Sequence, residues 1–82
     1  MAVINQFNFE FKLWGESFKA SCTIQNPTKE IMYRVLIESG KMNNKVLIAY
    51  KNKEGEFWAY PMPQEQRDLL KAAIKKIKDL NY

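Results

Sequence analysis

The chain contains no histidine at all. That absence removes the usual general base near neutral pH and the commonest side-chain ligand for transition metals. A single cysteine, Cys22, rules out an internal disulfide and agrees with a reducing compartment. Three glycines and three prolines in 82 residues are too few for a disordered or low-complexity chain. No apolar run approaches the roughly 18 to 20 residues of a membrane-spanning helix, and Met1-Ala2-Val3-Ile4-Asn5-Gln6 lacks the basic start and long apolar stretch of a signal peptide. P-loop, dinucleotide and metal-ligand spacings are missing as well. The expectation is a non-enzymatic protein of the cytoplasm, with no cofactor, no metal and no membrane partner.

What is present is apolar and aromatic material, 46% and 13% of the residues, in one small α+β domain over 1–82. A chain this short buries only about 60 to 65% of its unfolded surface, so it supports one core. The net charge of +4 and pI near 9.3 give a mildly positive field that favours polyanions.

Phe7, Phe9, Phe11 and Leu13 alternate with Asn8, Glu10, Lys12 and Trp14, the period of a half-buried strand. The alternation resumes as Phe18, Ala20, Cys22 and Ile24. A type II′ turn at Gly15-Glu16 pairs Leu13 with Phe18, Phe11 with Ala20, Phe9 with Cys22 and Phe7 with Ile24, which sets Lys12 opposite Lys19. Asn26-Pro27-Thr28 reverses the chain. A third strand, 31–37, places Ile31, Tyr33, Val35 and Ile37 on the core face and Met32, Arg34 and Leu36 on the other. A polar loop from Gly40 to Asn44 leads to a fourth strand, 45–51, whose two faces are both apolar. There Val46, Ile48 and Tyr50 are assigned to the core, and Leu47 and Ala49 to the outer face. A tight turn at Glu54-Gly55 sets Asn52 opposite Phe57, Lys51 opposite Trp58, Tyr50 opposite Ala59 and Ala49 opposite Tyr60 in a short fifth strand.

Pro61-Met62-Pro63 ends the sheet and opens a helix over about 64–80. Leu69, Leu70, Ala73, Ile74, Ile77 and Leu80 form its apolar stripe, with acids early and lysines late to match the helix dipole. The fold class expected is α+β: a meandering antiparallel sheet of about five strands with one C-terminal helix packed across one face, in two layers. A coiled half-barrel plugged by the helix is the alternative. The expected core is Phe7, Phe9, Phe11, Leu13, Phe18, Ile24, Val35, Ile37, Val46, Ile48, Leu70, Ile74 and Ile77.

The outer sheet face is the surface with a pattern. Lys12, Lys19, Arg34, Lys45 and Lys51 are interleaved there with Trp14, Trp58 and Tyr60. Cations that follow phosphates and rings that stack bases are what single-stranded DNA or RNA requires. The nucleic-acid site residues expected are therefore Lys12, Trp14, Lys19, Arg34, Lys51, Trp58 and Tyr60. A solvated sheet whose lysines deter edge-to-edge pairing accounts for the same residues without a ligand. Met32, Leu36, Leu47 and Ala49 would form an apolar band across that face, the mark of a homodimer or protein interface, unless Val3-Ile4 covers it. Lys71, Lys75 and Lys78 read as a solvated helix stripe beside Asp68 and Asp79, Glu54 and Glu56 as turn residues, and Cys22 as an inert inward thiol. The order of elements, several antiparallel strands and then a long helix after a proline-rich junction, resembles Pur-type single-strand-binding domains over most of the chain. That resemblance is one of topology and implies nucleic acid as the ligand.

Overall fold

In the computed structural model, which describes residues 3–26, 29–40 and 43–82, the alternating segments become β1 (Val3–Leu13), β2 (Glu16–Gln25), β3 (Ile31–Ile37), β4 (Val46–Lys51) and β5 (Phe57–Trp58). The helix α1 (Gln64–Asp79) follows. The strands form one antiparallel sheet in the order β1-β2-β3-β4-β5, and α1 crosses one face, chiefly over β1 and β4. This is the expected two-layer α+β architecture. Pro27 and Thr28 of the reversal after β2 lie outside the described residues, as do the side chains of Val3 and Ile4.

The core lies between sheet and helix. Phe9, Phe11, Phe18, Ala20, Cys22, Ile24, Tyr33, Val35 and Ile37 are buried there against Leu69, Leu70, Ala73 and Ile77. Phe7, Leu13 and Ile74 pack at its margin. The helix begins at Pro63, whose ring is tolerated where an N–H would be unsatisfied, and Arg67 N donates to its carbonyl at 3.0 Å. Its far end is a Schellman motif: Asn81 is left-handed (φ 67), Tyr82 N donates to Ile77 O at 3.1 Å, and Asn81 N donates to Lys78 O at 3.0 Å. The turn lays the Tyr82 ring on Phe7, with centroids 3.8 Å apart and planes 6° from parallel. Tyr33 Oη then donates to Tyr82 O at 2.7 Å.

Three registers differ from the sequence expectation. The first turn is Trp14-Gly15, both left-handed (φ 55 and 70), which makes it type I′ and pairs Phe11 with Phe18, Phe9 with Ala20 and Phe7 with Cys22. Lys12 therefore faces Ser17, and Lys19 faces Glu10. Moving the turn by one residue moves the pairing by two, so every apolar residue still meets an apolar one. Charge separates the two registers: Glu10 beside Lys19 is favourable, whereas two lysines directly across a sheet repel by roughly 0.2 to 1 kcal/mol.

The second difference inverts β4. Val35 pairs with Leu47 and Tyr33 with Ala49, so Leu47 and Ala49 enter the core while Val46 and Ile48 turn outward. The closing bonds, Ile37 N to Lys45 O at 2.9 Å and Asn44 N to Ile37 O at 2.7 Å, set this parity through the loop. The third difference shifts the last hairpin by one residue, to Tyr50 opposite Trp58 and Lys51 opposite Phe57. A three-residue loop replaces the two-residue turn. Asn52 Oδ1 accepts from Glu54 N and Glu56 N at 3.0 and 2.9 Å, and Gly55 takes the left-handed position (φ 84) that a bulged turn requires.

Candidate functional site

Cross-strand pairing turns the outer face into rows. Gln25, Met32, Tyr50 and Trp58 form one row, and Thr23, Arg34 and Ile48 the next. Ser21, Leu36 and Val46 follow, and beyond them Glu10 and Lys19, then Lys12 and Ser17. The β3–β5 half is apolar and aromatic, while the β1–β2 half is polar.

In the apolar half, Val46 (38%), Ile48 (36%), Trp58 (37%) and Tyr60 (66%) are exposed, and Met32, Leu36 and Tyr50 are half-buried. Tyr50 stacks on Trp58 with ring centroids 4.7 Å apart, and Tyr60 meets both edge-on at 6.0 and 5.2 Å. Glu30 accepts a hydrogen bond from Trp58 Nε1, which ties the indole to the segment just before β3. The band expected from Met32, Leu36, Leu47 and Ala49 thus keeps its first two members. Leu47 (2% exposed) and Ala49 (0%) belong to the core, and Val46 and Ile48 take their places.

The residues expected to bind nucleic acid do not converge. Trp14 sits at the tip of the β1–β2 hairpin, edge-on to Phe18 at 6.2 Å, whereas Trp58 is level with Gln25 at the opposite corner. Nine residues along β2 separate those levels, Glu16 to Gln25, or about 30 Å at the strand rise. Lys12 and Lys19 lie toward the Trp14 end, and Arg34 alone stands beside the Tyr50–Trp58–Tyr60 cluster. Lys51 is on the helix face, its Nζ 5.4 Å from the Tyr33 ring and 5.7 Å from the Phe57 ring, donating to Tyr82 O at 3.4 Å. Lys45 shares the parity of Leu47 and also leaves the outer face.

Outer-face charge is balanced, since Lys12, Lys19 and Arg34 are matched by Glu10, Glu30 and Glu38. Glu10, Lys19 and Glu38 line one shallow depression. Among the described residues, no three His, Cys, Asp or Glu side chains gather as a metal site would require, and no helix is long and apolar enough to cross a membrane. Cys22 is fully buried, and burial pushes its thiol up to about 12.

Comparison of the chain with protein-family models, with curated proteins and with solved structures returns no match. The site is therefore read from its own chemistry. Sequence reasoning missed the Tyr50–Trp58–Tyr60 cluster as a unit, although the register of the last hairpin creates it. It also missed the docking of Tyr82, which Asn81, an αL-tolerant residue just past the helix, signals.

Proposed function

We propose that this domain is a binding module that assembles with a second copy of itself through the β3–β5 half of its outer sheet face. The observation that carries the reading is the contiguous exposure of Val46, Ile48, Trp58 and Tyr60, with Met32, Leu36 and Tyr50 between them, on the side the helix leaves uncovered. Apolar patches of this kind mark interfaces. Two features favour a second copy over other occupants. The outer face carries Lys12, Lys19 and Arg34 against Glu10, Glu30 and Glu38, so its net charge does not oppose the approach of an identical face across a two-fold axis. A molecule of 35 × 24 × 22 Å also has a sheet face wide enough for the roughly 800 Å² per partner of a standard interface, with the polar β1–β2 half as its rim.

Single-stranded nucleic acid is the competing reading. It rests on Arg34 beside the Trp58 and Tyr60 rings and on the net charge of +4. A Trp14→Phe variant, in which Trp58 is the only indole, separates the two. Self-assembly is supported by a blue shift of Trp58 emission as protein concentration rises, unaffected by a deoxythymidine 20-mer. Salt-sensitive quenching by the 20-mer, with no dependence on protein concentration, would transfer the function to nucleic acid.

A further inference from the structure

On the helix side of the molecule, a groove of about 540 Å³ runs between β5 and α1. Its floor is apolar: Phe57, Ala59, Met62, Leu70 and Ile74. Its rim is cationic, formed by Arg67, Lys71, Lys75 and Lys78, and no described carboxylate lines it. Helical spacing explains the segregation. At about 100° per residue, Arg67, Lys71 and Lys78 share the flank that leans over β5, whereas Glu65, Asp68 and Asp79 fall on the flank toward β1. Asp79 accordingly lines the depression on the β1 side, and Asp68 accepts from Gln64 Nε2 at 2.7 Å within its own helix. The Lys78 ammonium is already placed, 5.2 Å from the Phe57 ring centroid.

The other wall is a strand edge. β5 is last in the sheet order and has no outer strand partner among the described residues. Asn52 N donates to Glu56 O at 3.0 Å, so the alternation of an antiparallel ladder turns the backbone groups of Trp58 toward β4 and those of Phe57 and Ala59 toward the open side. Pro61, without an N–H, ends the edge. A short unpaired edge, an apolar floor and a rim of one charge together match one mode of recognition, the addition of a peptide strand.

We infer that this groove binds an extended, acidic and apolar peptide segment of a partner protein, paired as a sixth strand along Phe57–Ala59. The partner's backbone meets the free groups of Phe57 and Ala59. Its apolar side chains rest on Leu70 and Ile74, and its carboxylates reach Arg67, Lys71 and Lys78. The groove opens on the helix side and shares Trp58 and Tyr60 at its β5 wall with the proposed self-assembly face, whereas Lys71 and Lys78 belong to the groove alone, so substitutions there test it separately.

The experiment is a fluorescence-anisotropy titration of the full chain with a labelled decapeptide of repeating Glu-Val units, at 50 mM and 200 mM salt. Three comparison probes are used: the same peptide with lysine for glutamate, the same peptide N-methylated at alternate residues, and a deoxythymidine 10-mer. Saturable, salt-weakened binding of the Glu-Val peptide is expected. The lysine and N-methylated peptides on the wild-type chain, and the Glu-Val peptide on the Lys71→Glu/Lys78→Glu variant, should each bind about tenfold more weakly. Both lysines are exposed or at the groove rim, and an unchanged far-ultraviolet circular dichroism spectrum verifies that the variant folds. Absence of binding, equal binding of the lysine peptide, or equal binding of the N-methylated peptide overturns the inference. Tighter binding of the 10-mer than of the Glu-Val peptide overturns it in favour of nucleic acid.

Discussion

Leu47 and Ile48 are adjacent on β4, similar in size, and point in opposite directions, so one substitution made at each position isolates what facing the helix is worth. Leu47→Thr puts a hydroxyl beside Val35 in the helix-side core, where the native side chain is 2% exposed. The loss of buried methyl groups and the desolvation of an unpartnered hydroxyl add to about 3 to 5 kcal/mol. Ile48→Thr keeps the β-branch, alters a side chain already 36% exposed, and should change the monomer by less than about 1 kcal/mol. A domain of this size has roughly 4 to 12 kcal/mol in total, so Leu47→Thr should lower the melting temperature by more than 12 °C, at about 4 to 8 °C per kcal/mol, or leave the chain unfolded. The assay is thermal and urea unfolding followed by circular dichroism at low micromolar concentration, where self-assembly contributes least. Equal destabilisation by the two variants, or a larger effect at Ile48, would refute the parity of β4 and with it the exposed apolar face.

Three further outcomes follow from the same geometry. Because burial raises the Cys22 thiol to about 12, the folded chain keeps a proton that the unfolded chain loses above pH 9, so stability should fall as pH rises from 9 toward 12. In urea unfolding at pH 9 and 10, wild type should lose about 1 kcal/mol more than Cys22→Ala, and parallel losses would contradict the buried thiol. Tyr82→Ala removes the ring stacked on Phe7 and should cost about 0.5 to 1.5 kcal/mol, read as a lowered urea midpoint; an unchanged midpoint would mean that the tail contributes nothing. A double-mutant cycle on Glu10→Gln and Lys19→Gln should give a favourable coupling of roughly 0.2 to 1 kcal/mol, while the Lys12–Lys19 cycle should give a smaller term, the reverse of what a Gly15-Glu16 turn implies.

Much of the fold was legible because the period changes cleanly, from two in Phe7–Leu13 and Phe18–Ile24 to 3.6 in Leu69–Ile77, with Pro61 and Pro63 between them. The errors arose where the pattern is silent. In β4, Val46-Leu47-Ile48-Ala49 is apolar on both alternations, so the core face was set by loop bonds at Ile37, Asn44 and Lys45 rather than by hydropathy. At Trp14-Gly15-Glu16 the glycine suits the second position of a type I′ turn as well as the first of a type II′ turn, and the two pairings bury the same residues. That ambiguity moved no residue between faces, yet it created and then removed a lysine pair. The site suffered more than the fold, because a single parity change exchanges Leu47 and Ala49 for Val46 and Ile48, and a one-residue shift carries Lys51 away from Trp58. Surface chemistry depends on register, and register here depends on turns whose residues satisfy more than one geometry.

The most direct test of the proposed assembly is sedimentation equilibrium of the wild-type chain and of Ile48→Lys from low micromolar to millimolar concentration. Ile48 stands in the middle of the exposed band, and a charge there leaves the helix-side core untouched. The wild type is expected to move from the 9.7 kDa monomer to twice that mass as concentration rises, and Ile48→Lys to remain at 9.7 kDa throughout. A wild type that stays at 9.7 kDa to the top of the range, or an Ile48→Lys variant that dimerises as readily as the wild type, would contradict it.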